Sequence, residues 1–402
     1  MAWQKVKLGD IASFSNGVNF GKDAYAKGVK LIGVSNFGNR VVPDYSELEE
    51  ISSNVLKDSD YLKDGDIVFV RSNGNKELVG RCMLIENPQY AVTYSGFCIR
   101  ARFLDKKVCS PKFFNYYFKT DFFRRSISGA AVGANIQNLN QGILSNHVAN
   151  VPNFGEQQKI ADILSAYDDL IENNQKQIKL LEEAAQRLYK QWFIDLRYPG
   201  HETIKIVDGL PEGWHYKPVN SIVSLLSGYA FKSDSFSENG RYKIVTIKNV
   251  QDGVFDGENV SLVDDIPPKM PTHCVLNNGD VLLSLTGNVG RVCMVVGENY
   301  LLNQRVAKLK SDYPSFTYCI FRSKDMYDEM NNLANGAAQQ NLSPIRTGQI
   351  KIAVPPSDIL ELFENEVNPI IAKILLLNKQ NKSLSQSRDR LLPKLMNGEL
   401  EI

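Results

Sequence analysis

Gly133-Ala134-Asn135-Ile136-Gln137-Asn138-Leu139 returns about 200 residues later as Gly336-Ala337-Ala338-Gln339-Gln340-Asn341-Leu342. Outward from this pair, further matches keep the same order. Trp3, Ile11, Gly17 and Phe20 recur as Trp214, Ile222, Gly228 and Phe231 at one offset. Gly65-Asp66 recurs as Gly279-Asp280, Gly80-Arg81 as Gly290-Arg291, and Val151-Pro152 as Val354-Pro355. The offset drifts while the order holds, as loop insertions between two copies of one fold would produce. Two similar but non-identical halves suit a target that is itself bipartite and asymmetric. DNA with two different half-sites is such a target.

Each half is followed by a stretch of helical period. Ile160, Ile163, Tyr167, Leu170, Asn174, Gln177, Leu181, Ala184 and Leu188 form one seam, widened by Leu164, Ile171, Ile178, Ala185 and Trp192. So wide a stripe is more than a two-stranded seam needs and predicts packing against further surfaces too. No Gly or Pro falls between Glu156 and Tyr198, and about 38 residues predict a rod of roughly 57 Å. The second helix is predicted over Ser357–Met396, with Phe363, Ile370, Leu377, Leu384 and Leu391 seven apart and Leu360, Val367 and Ile374 in the paired position. Pro369 predicts a kink or frayed first turn, Pro393 a kinked last turn, and Gly398 the end. The two helices are expected to pair antiparallel, with Leu170, Asn174, Gln177 and Leu181 on one and Ile374, Leu377, Asn381 and Leu384 on the other. The polar members Asn174, Gln177 and Asn381 either fix the register or face solvent where the seam opens.

The expected fold is mixed α/β (α+β): a globular half over residues 1–155, a helix over 156–198, a second globular half over 199–356, and a helix over 357–402, related by an internal pseudo-two-fold repeat. Strand-like runs are Gly65–Val70, Tyr90–Val92 and Phe97–Arg100 in the first half, and Tyr242–Ile247, Asp280–Leu285 and Val292–Val296 in the second. Phe113–Arg125 reads as one short helix whose aromatics belong to the core.

The chain has 402 residues and a net charge of +1. Residues 1–155 hold 19 Lys and Arg against 14 Asp and Glu, and residues 200–356 hold 15 against 16. Affinity for DNA grows with the phosphates neutralised, so a grip on DNA needs a local basic patch or help from partner subunits. The six cysteines lie at no zinc-ribbon or thioredoxin-like spacing. His273-Cys274 reads as a loop residue beside a buried thiol rather than a metal site. No apolar run is long enough to span a membrane, and no secretory leader precedes Trp3, so the cytoplasm is the expected compartment.

After the Gly-Asp strand each half carries a polar, glycine-bearing loop: Arg71-Ser72-Asn73-Gly74-Asn75-Lys76, and Thr286-Gly287-Asn288-Val289-Gly290-Arg291. Arg suits guanine edges, Asn and Gln adenine edges, and Lys phosphates; both loops also fit as plain turns. The candidate DNA contacts are therefore Arg71, Ser72, Asn73, Asn75 and Lys76 with Lys22, Asn135 and Gln137 in the first half. In the second they are Thr286, Asn288 and Arg291 with Lys232, Gln339 and Gln340. No P-loop, zinc-protease, nucleophile-elbow or nuclease motif is present, and no Asn/Asp-Pro-Pro-aromatic motif of an amino-methyltransferase. No catalytic, cofactor or metal residue is assigned.

Phe193–Glu202, Asp208-Gly209-Leu210-Pro211-Glu212-Gly213-Trp214, Gln157-Gln158-Lys159-Ile160 and Leu391–Leu400 together resemble, in order and repetition, the specificity (S) subunit of type I restriction–modification systems. The resemblance covers essentially the whole chain. It implies a non-catalytic DNA-recognition subunit with two target recognition domains, each reading one half-site. It also implies a helix pair that sets the spacer and docks two methyltransferase subunits. Motor–nuclease subunits would join these. S-adenosylmethionine, ATP and magnesium would sit on those partners and not on this chain. The rivals are an S-type subunit whose partner fuses methyltransferase and nuclease, and a coiled-coil scaffold that binds no DNA.

Overall fold

The computed structural model describes residues 3–38, 40–72, 78–129, 138–258, 260–334 and 340–402. The chain divides into two units, Met1–Ile171 with Ser383–Ile402, and Glu172–Lys382. Each unit contains one globular domain and a stretch of both long helices.

The first domain is two layers of sheet. One is antiparallel, with strands in the order Ala12–Asn16, Cys98–Phe103, Ile67–Val70, Cys82–Leu84. The other runs Glu49–Ile51, Tyr25–Ile32, Val92–Tyr94, its last pair parallel. Strands Gln4–Lys7 and Val148–Val151 pair antiparallel and tie the two ends of the domain together. The second domain repeats this order with Ser224–Ser227, Val306–Lys310, Val281–Ser284 and Val292–Met294. Its other sheet runs Ser261–Val263, Tyr242–Val245, Tyr300–Leu302, Val275–Leu276, again with the Tyr242–Val245 and Tyr300–Leu302 pair parallel. Strands His215–Pro218 and Lys351–Val354 close it. Each strand run expected from the sequence overlaps an observed strand, with ends displaced by up to three residues; Tyr90–Val92 overlaps Val92–Tyr94 at Val92 alone.

The continuous apolar run after each Gly-Asp pair has a direct cause. Successive strand residues face opposite sides of a sheet, and here both sides are covered. Ile67 and Phe69 enter a core with the first domain's helices, whereas Val68 and Val70 enter the core between its layers. Val281 and Leu283, against Leu282, divide in the same way. The Gly-Asp pair itself is a turn. Gly65 and Gly279 have φ of +81° and +90°, where a side chain would be strained. Asp66 and Asp280 each accept from the backbone N–H three residues back, at 2.7 Å. The same carboxylates pair with a cation on the adjacent strand, Arg102 and Lys308, each at 2.6 Å.

Phe113–Arg125 is two helices, Pro111–Tyr117 and Asp121–Gly129, not one. The break comes at Thr120, whose hydroxyl accepts from Phe123 N–H and so starts a new helix. The aromatics are core except Phe122, which is exposed: Phe113, Phe114, Phe118 and Phe123 are fully buried. All six cysteines are free and buried, and the His273 ring bonds the Ser227 carbonyl at 2.9 Å.

The central helix spans Phe154–Tyr189. It starts two residues earlier than expected because Asn153 caps it, its side chain accepting from Glu156 N–H at 3.0 Å. It also stops short of Tyr198. Lys190–Ile194 forms a π turn and Leu196 has φ +58°. Trp192 and Phe193, adjacent in sequence, are both buried in one aromatic cluster, and a wider turn lets both face it. The C-terminal helix runs unbroken over Ser357–Met396. Pro369 does not end it, since Phe363, Val367, Ile371 and Ile374 are buried on either side of the proline, and that packing offsets the about 3 kcal/mol cost of an interior proline.

Within each unit the helices pair antiparallel. In the first, Asp168 meets Arg388 and Lys159 reaches Ile402. In the second, Asn174 meets Asn381 at 2.9 Å and Trp192 meets Phe363 with ring centroids 5.5 Å apart. The line paired with Ile160, Tyr167, Asn174 and Leu181 is not the one containing Leu170. Leu170 is 53% exposed, while Leu164, Ile171, Ile178 and Ala185 turn inward. Gln177 and Leu384 are half-buried, and Ile374 and Leu377 are buried. The Asn174–Asn381 bond is a polar tie inside an apolar seam, and only one register forms it. Replacing Asn174 alone by Leu should destabilise the pair by about 1–3 kcal/mol, because the Asn381 amide loses its partner. Replacing both by Leu should restore or raise the melting temperature. Equal melting temperatures for the single and double variants would show that the amides do not interact in solution.

Candidate nucleic-acid interface

The same edge of both domains gathers four pieces of chain. In the first domain the backbone of Gly17 and Val18 donates to Cys98 and Tyr94 carbonyls at 3.1 and 3.0 Å. Arg71 N–H, at the end of the central strand, donates to the Phe97 carbonyl at 2.8 Å, and Leu139 N–H donates to the Arg71 carbonyl at 2.8 Å. In the second domain Gly228 and Tyr229 donate to Val306 and Leu302 at 3.1 and 2.9 Å. Leu285 N–H donates to Arg305 at 3.0 Å, and Leu342 N–H to Leu285 at 2.7 Å. These bonds set Gly17, Gly228, Leu139 and Leu342 in equivalent places in the two domains. A Cβ at Gly17 would lie 2.2 Å from the Ser95 carbonyl oxygen, and one at Gly228 would lie 2.2 Å from that of Asn303. Both obstacles are backbone, so the glycine is required for the loop to lie against the strand.

Each edge also carries an exposed polar fringe on this fixed backbone. Lys22 is exposed in a short turn beside the edge-to-face pair Phe20–Tyr25, whose ring centroids are 5.6 Å apart. Lys232 is exposed beside Phe231, the counterpart of Phe20, which here pairs edge-to-face with Tyr229 at 5.2 Å. Ser72 bridges Asn138, and Thr286 bridges Asn341 with its hydroxyl 3.3 Å from the Asn341 side-chain oxygen. Asn288 and Gln340 are exposed, and the Gln340 carbonyl accepts from Gly287 N–H at 3.3 Å.

A family assignment follows from comparison with known proteins. The type I restriction modification DNA specificity domain matches twice, over residues 2–183 and 211–384. The chain belongs to that family. It is 28% identical over 335 residues to the type I restriction enzyme MjaIX specificity subunit of Methanocaldococcus jannaschii, covering 81% of this chain and 76% of the relative. It is 24% identical over 473 aligned positions to the HindI specificity subunit of Haemophilus influenzae, covering 99% of each. The crystal structure of a type I restriction–modification S subunit from M. genitalium has the same fold, with a TM-score of 0.58 at 16% identity over 98% of this chain and 96% of the other.

Each of the two family matches contains one such edge. Among the candidates, Lys22, Lys232, Asn288 and Gln340 are exposed on it, and Arg71, Ser72 and Thr286 are half-buried at its base. The Arg71 guanidinium rests on the Gly96 carbonyl at 3.3 Å. Arg291 is different: its guanidinium bonds the Gln251 side chain and its N–H the Ser284 hydroxyl at 3.1 Å. These bonds tie it into its own turn and to Gln251. Asn73, Asn75, Lys76, Asn135, Gln137 and Gln339 lie outside the described residues. Sequence reasoning missed Phe97, Gln304 and Arg305, which are exposed on the same edge. The repeat comparison could not find them, because Ser95-Gly96-Phe97 and Asn303-Gln304-Arg305 share no residue. The available signal was a polar Asn-Gln-Arg run between two apolar strands.

Among the described residues no helix is long and apolar enough to cross a membrane, and no cluster of His, Cys, Asp or Glu could hold a metal ion.

Proposed function

We propose that this chain is the DNA-reading subunit of a type I restriction–modification complex, with each globular domain reading one half of a bipartite asymmetric site. The observation that carries the reading is the duplicated edge: one backbone frame, built twice, bearing different side chains. A frame held by main-chain bonds can change its exposed residues without refolding, which is what reading two unlike sequences requires. In this reading the chain does no chemistry. Two methyltransferase subunits carry S-adenosylmethionine, motor–nuclease subunits carry ATP and magnesium, and the paired helices dock the former and set the spacer. The basic excess of the first half adds phosphate attraction, and the partners supply the rest of the grip. A scaffold that binds no DNA has no use for two such edges.

The test is replacement of residues 1–150 by the matching half of a relative, with methylated adenines mapped across a host genome. One half-site should change and the other should stay. The purified chain given S-adenosylmethionine, ATP, magnesium and DNA should be inert. Methylation by the lone chain, or a swap that alters both half-sites together, contradicts the proposal. Four residues added to each long helix, about 6 Å of rise, should lengthen the spacer by one or two base pairs at about 3.4 Å each. An active complex with an unaltered spacer would limit the helices to docking. Reading the neighbouring coding regions separates this system from one with a fused methyltransferase–nuclease partner.

A further inference from the structure

The turn that leads into the strands Cys98–Phe103 and Val306–Lys310 is framed alike in both domains and carries opposite chemistry. Phe97 and Arg305 occupy the same place: the carbonyl of each accepts from the end of the central strand, at 2.8 and 3.0 Å. The Phe97 ring is 61% exposed. The Arg305 side chain is exposed, with no hydrogen-bond or ion-pair partner among the described residues. The preceding position differs too. Gly96 is buried, and a Cβ there would lie 1.9 Å from the Asn19 side-chain oxygen, whereas Gln304 is exposed. Neither Phe97 nor Arg305 contributes its side chain to the fold, yet the backbone of each is fixed. The fixed backbone sets where each side chain starts, and the exposed, unpartnered groups are left available to a ligand.

We infer that this turn is a specificity position, at which Arg305 reads a guanine in the second half-site and Phe97 packs on a thymine methyl in the first. The inference rests on the DNA-reading function proposed above. The guanidinium presents a planar fork that matches the O6 and N7 acceptors of guanine. Phenylalanine has no donor or acceptor, and the thymine 5-methyl is the apolar group that base edges offer it.

The experiment uses the full chain assembled with its methyltransferase subunits, with adenine methylation mapped on genomic DNA. Arg305→Ala should lower methylation of the original site by about 5- to 150-fold and relax one guanine of the second half-site only. Arg305→Lys keeps the charge and donors but not the planar fork, so it should restore that guanine preference only in part. Phe97→Ala should relax one thymine of the first half-site only, and Phe97→Leu should restore part of the preference. Two results overturn the inference: weaker methylation with every base preference intact, which marks a phosphate contact, and relaxation at a different base. If Arg305→Ala or Phe97→Ala does not assemble, the Arg305→Lys and Phe97→Leu maps decide by the same criterion. The half-site swap of residues 1–150 runs in parallel. If the swap changes one half-site while these variants change none, the turn is wrong and the DNA-reading function stands. If the swap changes nothing, the function itself is wrong.

Discussion

Phe363→Ala should destabilise the second unit by about 3–5 kcal/mol, the usual range for deleting a buried aromatic ring. Phe363 is fully buried and sits at the centre of a ring cluster. Its centroid lies 4.8 Å from Phe193, 5.5 Å from Trp192 and 6.4 Å from Phe316. These rings come from the end of the central helix, the C-terminal helix and the helix Pro314–Phe321 of the domain. One substitution therefore opens a cavity where three elements meet, and rings held on three sides cannot collapse to fill it. Thermal or urea unfolding of the full chain measures the effect. In the assembled complex, recognition of the second half-site should fail at a lower temperature than that of the first. A loss below about 1 kcal/mol would mean that the cluster relaxes around the gap and does not weld the helices to the domain.

Much of this arrangement is legible in the sequence because a repeat is a comparison the chain makes with itself. Gly17 and Gly228 match since the same carbonyl lies 2.2 Å from where a Cβ would be. Gly65-Asp66 and Gly279-Asp280 match since each makes the same turn and cross-strand ion pair. Backbone constraints of this kind act on one or two residues and leave a fixed signature. The seam was harder. Leu170 and Ile171 are neighbours with equal apolar character, and only the direction of the partner helix decides which turns inward. The residues proposed to read bases are hardest. Phe97 and Arg305 are free of the fold, so nothing in the packing constrains their identity, and internal comparison passes over them. Arg291 recurs with Arg81, and it bonds within its own turn and to Gln251.

Arg322→Ala should cost the second unit about 2–3 kcal/mol, less than the roughly 3–5 kcal/mol for breaking a fully buried pair. Arg322 lies 3.0 Å from Glu182 on the central helix and 2.6 Å from Asp252. The side chains of Arg322 and Glu182 are 14% and 18% exposed, but that of Asp252 is 72% exposed. The Glu182 arm therefore carries the effect, and the Asp252 arm is screened by solvent. The Tyr318 hydroxyl also donates to Glu182, at 2.7 Å, and the guanidinium lies over the Tyr318 ring. Burial and the Glu182 charge hold the Tyr318 hydroxyl well above its ordinary pKa, so it remains a donor at any working pH. Without the arginine, a largely desolvated carboxylate keeps only that hydroxyl. The first unit solves the same problem with Tyr116, 2.5 Å from Asp168, and with Arg388 of the C-terminal helix. The arginine comes from a different element in each unit, so what the site requires is the charge rather than its place in the chain. Pairing Arg322→Met with Glu182→Gln removes both charges and should recover most of the loss. For a unit of this size, 2–3 kcal/mol lowers the melting transition by about 4–12 °C. A double variant as unstable as Arg322→Ala would show that the arginine acts through packing on Tyr318 and not by neutralising Glu182.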